Sequence, residues 1–397
     1  MEFAFSENTR DLKPSAIREI FKSLTDPDII SFAAGNPSQE SFPAEDFKRF
    51  ADVILETNAS FALQYGITEG YTPLRKAVLE RNSRLFGLVN ENDTAVITTG
   101  GQQGIDLTAK IFCSAGDAVI CEDPTFIGAL NSFRAHGLRT VGVPLKNGSL
   151  DPDMLEDTIR RTRSAKLLYL IPTFQNPSGT TMPYGVRKRC LELAEKYGLM
   201  ILEDNPYGEL RFAGDDIPTL KSMDKTGRVV YCSSFSKLLS PGMRVGYVIC
   251  DNEIASKIAV CKQVNDVHTN LLFQMICFKF LTEFDIDAHI RRIREIYRKK
   301  ASLMLARLDE IGDGRIEYTR PDGGLFIWAS LPGCDDHDGF VKKLAENKLA
   351  VVPGSTFNCD LKMKSDGFRL NYSAPTDEQI VRGVDILKKV INEYCRG

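Results

Sequence analysis

A chain of 397 residues is too long for one ordinary hydrophobic core, so a large domain with a smaller companion is the first expectation. Hydrophobic residues make up 43% and charged residues 26%, as in soluble globular proteins, and the net charge of −3 gives no general pull toward nucleic acid or an anionic membrane. No apolar run approaches the roughly 18 residues needed to span a bilayer.

The opening segment, MEFAFSENTRDLKPSAIREI, has neither the basic end nor the apolar stretch of a signal peptide. Short apolar, β-branched runs then recur: strands are expected at 94–99, 117–122, 139–145, 165–172, 198–204, 228–234 and 246–250. Helical patterns lie between them, as in QQGIDLTAKIFC, PTFIGALNSFRAHG and GVRKRCLELAEKYG. That alternation predicts a mostly parallel α/β sheet covered by helices. From about residue 255 the pattern changes to long helices, IASKIAVCKQVN and DAHIRRIREIYRKKASLMLARLDEIG. A smaller α+β unit follows, with strands in GGLFIWASL and FRLNYS around a helix in DGFVKKLAENK.

Ten cysteines are scattered through apolar segments with no CxxC pair, which fits reduced thiols in a cytoplasmic protein. The four histidines have no metal-ligand spacing, so no metal site is expected. His136 and His337 read as solvated, and His289, among arginines, reads as a surface residue.

Ligands of such sheets collect at the carboxyl ends of the strands. Those ends read TTGGQQ, CEDPTF, IPTFQNPSG, LEDNPYGEL and SSFSK. In the first, glycines let the backbone approach an anion at a helix N-terminus, although a merely tight turn uses the same residues. Asp204 closes an apolar strand, where a carboxylate also serves as a simple helix cap. Lys237 follows another strand, and the chain returns at once into PGMRVGYV, which keeps the amine near the strand ends. Together Asp204, Lys237, Ser234, Arg244 and the GGQQ turn describe the needs of a phosphorylated pyridine cofactor: a reactive amine, a carboxylate for the ring nitrogen, and donors for a phosphate.

The motifs NPSG (176–179), EDNPYGEL (203–210), SSFSKLLSPGMRVGYV (233–248) and FRLNYS (368–373) resemble those of class I/II aminotransferases of fold type I. LQYGITEGYTPLR, TTGGQQGIDL and KPSAIREIFK are similar to the branch of 2-aminoadipate, aromatic and kynurenine aminotransferases. The resemblance implies an α/β large domain with a seven-stranded, mostly parallel sheet over 46–288, a small α+β domain from 14–45 and 289–397, and an N-terminal arm over 1–13.

It also implies pyridoxal 5'-phosphate as cofactor, with pyridoxamine phosphate formed in a ping-pong transfer between L-amino acids and 2-oxo acids. Lys237 then holds the cofactor and moves the substrate proton, and Asp204 pairs with the ring nitrogen. Tyr207 and Asn176 bond the phenolic oxygen, and Phe126 stacks on the ring. Gly101, Gln102, Ser234, Ser236 and Arg244 hold the phosphate, joined by Tyr65 across a homodimer interface. Arg369 grips the substrate carboxylate, with Gly35, Asn36 and Asn176 beside it, and Arg18 is a candidate for an acidic side chain. Three departures stand out. AAGNPS (33–38) replaces the branch's Ala-Gly-Gly-Leu-Pro, Gly101 replaces a hydroxyl residue, and Phe126 lacks a tyrosine hydroxyl. A lyase or decarboxylase of the same fold, and an aminotransferase-like ligand sensor, are the competing expectations. A sensor would need a DNA-binding module, and the chain begins at the arm without a basic stretch.

Overall fold

The computed structural model describes residues 4–6, 28–88, 90–312, 314–365 and 367–394. A short strand, β1 (Ile30–Ser31), leads into the main sheet: β2 (Asp93–Thr98), β3 (Ala118–Asp123), β4 (Arg139–Lys146), β5 (Ser149–Leu150), β6 (Ala165–Leu170), β7 (Met200–Asp204), β8 (Val229–Ser234) and β9 (Gly246–Asp251). Their order across the sheet is β2-β9-β8-β7-β6-β3-β4-β5. The pairs from β8 to β4 are parallel, whereas β9 runs antiparallel between β8 and β2. All seven expected strands form. The eighth is the two-residue β5, which turns back along β4 over Leu145–Leu150 and is too short to carry an apolar signature.

Alternate residues of the parallel strands enter different cores, which explains their unbroken hydrophobicity. Val119, Cys121, Leu167, Tyr169, Leu202 and Val230 face the helices Gly101–Phe112, Ile127–Ala135 and Asn252–Gln263. Ile120, Leu168, Leu170, Ile201 and Val229 face Pro152–Arg161 and Tyr184–Tyr197. Each fully buried aliphatic side chain contributes about 1.5–3 kcal/mol relative to exposure.

Beyond the sheet runs the helix Ile286–Asp309, which buries Ile286, Ile290, Ile293, Tyr297, Met304 and Leu308 along one stripe. A second sheet follows, formed by β10 (Glu317–Tyr318), β11 (Phe326–Ser330), β13 (Val352–Pro353) and β14 (Phe368–Asn371) in the order β10-β11-β14-β13, while β12 (Leu349–Ala350) pairs in parallel with β1. The helices His337–Glu346 and Asp377–Tyr394 complete this part. No helix among the described residues is long and apolar enough to cross a membrane.

Three histidine expectations need correction. His289 is buried on the inner stripe of Ile286–Asp309, where its Nε2 lies 2.9 Å from the Leu238 carbonyl oxygen. His337 is buried and its Nε2 accepts from the Leu331 amide at 3.0 Å. His136 is half-buried, with Nε2 at 2.9 Å from Asp106 Oδ1. For His289 and His136 the partner is 51 and 30 residues away, and for His337 it lies six residues back across a turn, so local polarity misreads the environment.

Candidate active site

The register of the main sheet assembles the site. Thr98 pairs with Gly246, Gly246 with Ser234, and Asp204 with Cys232, so four strand ends meet at one edge. A cavity of about 310 Å³ opens there, lined by Gly35, Asn36, Gly101, Gln102, Phe126, Asn176, Asp204, Tyr207, Ser234, Ser236, Lys237, Arg244 and Arg369. Thirteen of the fifteen expected site residues are therefore brought together. Tyr65 is 80% exposed and outside this cavity, its ring stacked edge-on to His268 at 5.8 Å. Arg18 lies outside the described residues.

The helix Gly101–Phe112 points its N-terminus into the cavity, and no side chain caps it. An uncapped first turn offers N–H groups and a positive dipole end to an anion. Gly100 makes the turn with φ of 76°, and a Cβ there would overlap Arg244 Nη2. Gly104 lets the same helix approach the sheet, because a Cβ would stand 2.8 Å from both Cys232 Sγ and Val248 Cγ1. On the far side of the turn, Ser234 Oγ and Ser236 Oγ are 2.7 Å apart, and Arg244 Nη2 donates weakly to the Thr99 carbonyl at 3.4 Å. Two hydroxyls, a guanidinium and free helix amides thus converge, as an anion requires.

Lys237 follows at the end of a short helical turn, with Nζ donating to the Gly35 carbonyl at 2.7 Å. Burial, with help from the Arg369 and Arg244 charges, lowers its pKa to about 8. A lysine so placed has a useful neutral fraction near neutral pH, as a nucleophilic amine needs. Asp204 is 5% exposed, and its carboxylate is met by the Tyr169 hydroxyl at 2.7 Å. Burial raises its pKa to about 7, the hydroxyl bond opposing that rise. Such a carboxyl becomes a stable anion when a cation is set against it.

Arg369 is 2% exposed, donating to Asn176 Oδ1 and the Ala33 carbonyl, each at 2.8 Å. Its carbon lies 4.1 Å above the Phe326 ring, and its buried Nε has no hydrogen-bond partner. Burial lowers its pKa to about 10. A guanidinium this deep, with an orphan N–H, calls for an anion. Asn176 is held in turn by a pinned loop: fully buried Arg187 donates to the carbonyls of Pro172 and Met182 at 2.7 and 3.0 Å and to Thr173 Oγ1 at 2.9 Å. Tyr207 is buried beside Asn176, and burial raises its phenol pKa. Phe126 begins the helix Ile127–Ala135, its ring occupying the space a side chain at Gly128 would need.

Sequence reasoning missed Ile105, Ile171, Pro206, Pro241 and Phe326 in the lining, and the Tyr169 hydroxyl on Asp204. Apolar lining residues look like core from sequence. Tyr169 carried a readable signal, being one strand over from Asp204 within an otherwise aliphatic run.

The arrangement suits a phosphorylated pyridine aldehyde on every side: an amine of lowered pKa, a buried carboxyl lacking a cation, and an anion cradle. Comparison with known proteins agrees. Residues 27–387 match the family model for aminotransferase class I and II. An aromatic-amino-acid aminotransferase of Thermococcus litoralis is 37% identical, over 99% of this chain and 95% of that protein. A 2-aminoadipate transaminase of Thermus thermophilus is 38% identical, over 98% of this chain and 96% of its own length. The crystal structure of a Pyrococcus horikoshii kynurenine aminotransferase in complex with PMP superposes with a TM-score of 0.94 at 34% identity, covering 98% of this chain and 97% of that one. With this site on this fold, the chain belongs to the class I and II aminotransferases and is a pyridoxal-phosphate-dependent enzyme acting on amino acids and 2-oxo acids.

Proposed function

We propose that the enzyme transfers the amino group of an L-amino acid of the glutamate, 2-aminoadipate or aromatic type to a 2-oxo acid by a ping-pong cycle. The observation that carries this reading is the joint placement of Lys237, Asp204 and Arg369 around one cavity. Bound pyridoxal phosphate supplies an electron-withdrawing ring to the substrate's α-carbon. The chain's own residues do the rest. Lys237 holds the cofactor between turnovers and carries the proton to and from the substrate Cα, a task its lowered pKa suits. Asp204 keeps a proton on the ring nitrogen, while Tyr207 and Asn176 bond the phenolic oxygen and Phe126 covers one face. The Gly101 and Gln102 amides, Ser234, Ser236 and Arg244 hold the phosphate. Arg369 binds the α-carboxylate in a two-pronged pair, with Gly35 and Asn36 closing the substrate side.

The acting unit in this proposal is a homodimer, to which Tyr65 of the partner subunit contributes a phosphate contact. Its support is an exposed apolar surface. Phe61, Leu63, Tyr65 and Ile67 project from one segment, and Val260, Val264 and Val267 from a second, joined through the Tyr65–His268 ring contact. The chain is further proposed to divide into an arm (1–13), a large domain (46–288) and a small domain (14–45 with 289–397). Gly35 and Arg369 then ride on the small domain, whose closure over the substrate excludes water. A cytoplasmic location accords with the nine described cysteines, all free thiols.

The first test is a single-turnover absorbance scan with excess L-glutamate. Conversion of the lysine-bound cofactor to its amine form, reversed by 2-oxoglutarate, supports an acidic donor. A spectrum that ignores glutamate but responds to phenylalanine or kynurenine assigns the aromatic class. Response to no amino donor at all overturns the proposed transfer.

A further inference from the structure

Lys262 sits on the helix Asn252–Gln263, outside the cavity lining, with none of its surface exposed. Burying an ammonium costs several kcal/mol unless its protons are matched. Here they are: Nζ donates to Gln103 Oε1 at 2.7 Å, to Asp266 Oδ1 and Oδ2 at 2.7 and 2.9 Å, and to Thr269 Oγ1 at 3.1 Å. All three acceptor residues reach Thr99, Thr269 through a hydroxyl pair 3.0 Å apart. Gln103 Oε1 also accepts from the Thr99 amide at 2.8 Å, and Asp266 Oδ2 accepts from Thr99 Oγ1 at 2.6 Å. Thr99 is thus clamped through both backbone and side chain, while its carbonyl receives Arg244 Nη2. It is the residue immediately before the Gly100–Gly101 turn.

We propose that Lys262 is a positioning residue for the phosphate-binding turn, acting through Gln103, Asp266 and Thr99. The proposal rests on reading Gly101, Gln102, Ser234 and Arg244 as the phosphate site. A fully matched cation fixes these acceptors, the acceptors fix Thr99, and Thr99 fixes both where the helix amides begin and where Arg244 docks. Preorganised donors bind an anion without a reorganisation cost, so the benefit falls on the phosphate and not on the ring. A purely architectural lysine would instead support ring and phosphate binding alike, or neither.

The test strips purified holoenzyme of cofactor and titrates it with pyridoxal 5'-phosphate and, separately, with pyridoxal, for wild type, Lys262→Met and Asp266→Asn. The expected result is a loss of about tenfold or more in affinity for the phosphorylated form, with pyridoxal changed by less than about twofold. Equal losses for both ligands, or a loss for neither, overturn the proposal. If Lys262→Met fails to fold by thermal melting, Asp266→Asn decides alone, since its carboxylate is partly exposed and its replacement is isosteric. Wild-type protein that binds the two ligands equally well would overturn the phosphate reading itself, an outcome distinct from failure of the Lys262 claim.

Discussion

The Tyr169 hydroxyl donates to Asp204 Oδ2 at 2.7 Å, and both residues are buried between strands β6 and β7. That single bond works against the burial that raises the Asp204 pKa to about 7. On the proposed role of Asp204, Tyr169→Phe should push this pKa further up and weaken the anion that holds the ring nitrogen. Loss of a hydrogen bond to a charged group is worth about 1.5–3 kcal/mol, so cofactor affinity should fall by roughly tenfold or more. The acid limb of the kcat/KM profile should move to higher pH. An unchanged acid limb would remove Tyr169 from the tuning of Asp204.

The same carboxyl makes a stability prediction for the apoenzyme. Its folded pKa of about 7 lies above the ordinary 3.8, so the folded state holds a proton that the unfolded chain releases. Its contribution to stability is full below about pH 4 and is lost as pH rises toward 7. Asp204→Asn should therefore flatten the decline in apoenzyme stability between pH 4 and pH 7, by an amount of order a few kcal/mol at most. Melting curves of the two apoenzymes across that range measure it.

Much of this arrangement is visible in the linear chain, and the omissions share one cause. The seven long strands announce themselves because both faces are buried, as with β8, all six residues of which are buried. Asp204, Lys237, Ser234, Arg244 and the GGQQ turn follow from the rule that ligands gather at strand ends, while the other candidate residues rest on the family resemblance. What escapes is polarity satisfied over distance. His289 lies three residues after Ile286 and four before Ile293, on the stripe that helical spacing predicts to be buried, yet flanking arginines suggest a surface. Arg187, Lys221 and Lys262 are fully buried charged residues whose partners include Pro172, Asp93 and Gln103, at 15, 128 and 159 residues' separation. Only the fold brings such partners together.

Lys237 and Arg369 are electrostatically coupled, since the guanidinium adds to burial in lowering the lysine pKa to about 8. Imine formation between apoenzyme and pyridoxal should accordingly rise with pH to a midpoint near 8. Arg369→Met should move that midpoint upward, toward the ordinary 10.5 of a lysine. The milder Arg369→Lys keeps a charge but loses the two-pronged grip, so kcat/KM for amino and oxo acids should fall at least about thirtyfold, the low end of a broken buried charge pair. A midpoint that stays near 8 in Arg369→Met would show that burial and Arg244 set the lysine without Arg369.

Gly100 offers a sharper probe of the anion cradle than any of its polar residues. Its φ of 76° disfavours a side chain, and a Cβ would overlap Arg244 Nη2. Gly100→Ala should displace the guanidinium and lower affinity for pyridoxal phosphate by about tenfold, while affinity for pyridoxal changes little. Parallel titrations of both ligands give the answer, and a preserved phosphate preference would place Arg244 outside the cradle.

The proposed dimer can be tested by complementation. Tyr65 is 80% exposed and does not line its own cavity, so the proposed role in phosphate binding calls on a partner subunit. Tyr65→Phe should weaken cofactor binding, whereas Lys237→Ala should abolish turnover in its own site. In a mixed dimer, one site carries both defects and the other carries neither, provided Tyr65 acts across the interface. Co-refolding the two variants should therefore restore a site with wild-type cofactor affinity and rate. If Tyr65 served its own subunit, the defects would stay apart and no wild-type site would appear. Leu63→Asp, at the centre of the exposed apolar surface, should shift the protein to monomer in light scattering and raise the cofactor's dissociation constant in parallel. A monomer with undiminished cofactor affinity would keep that surface as the dimer contact but return the whole phosphate cradle to a single chain.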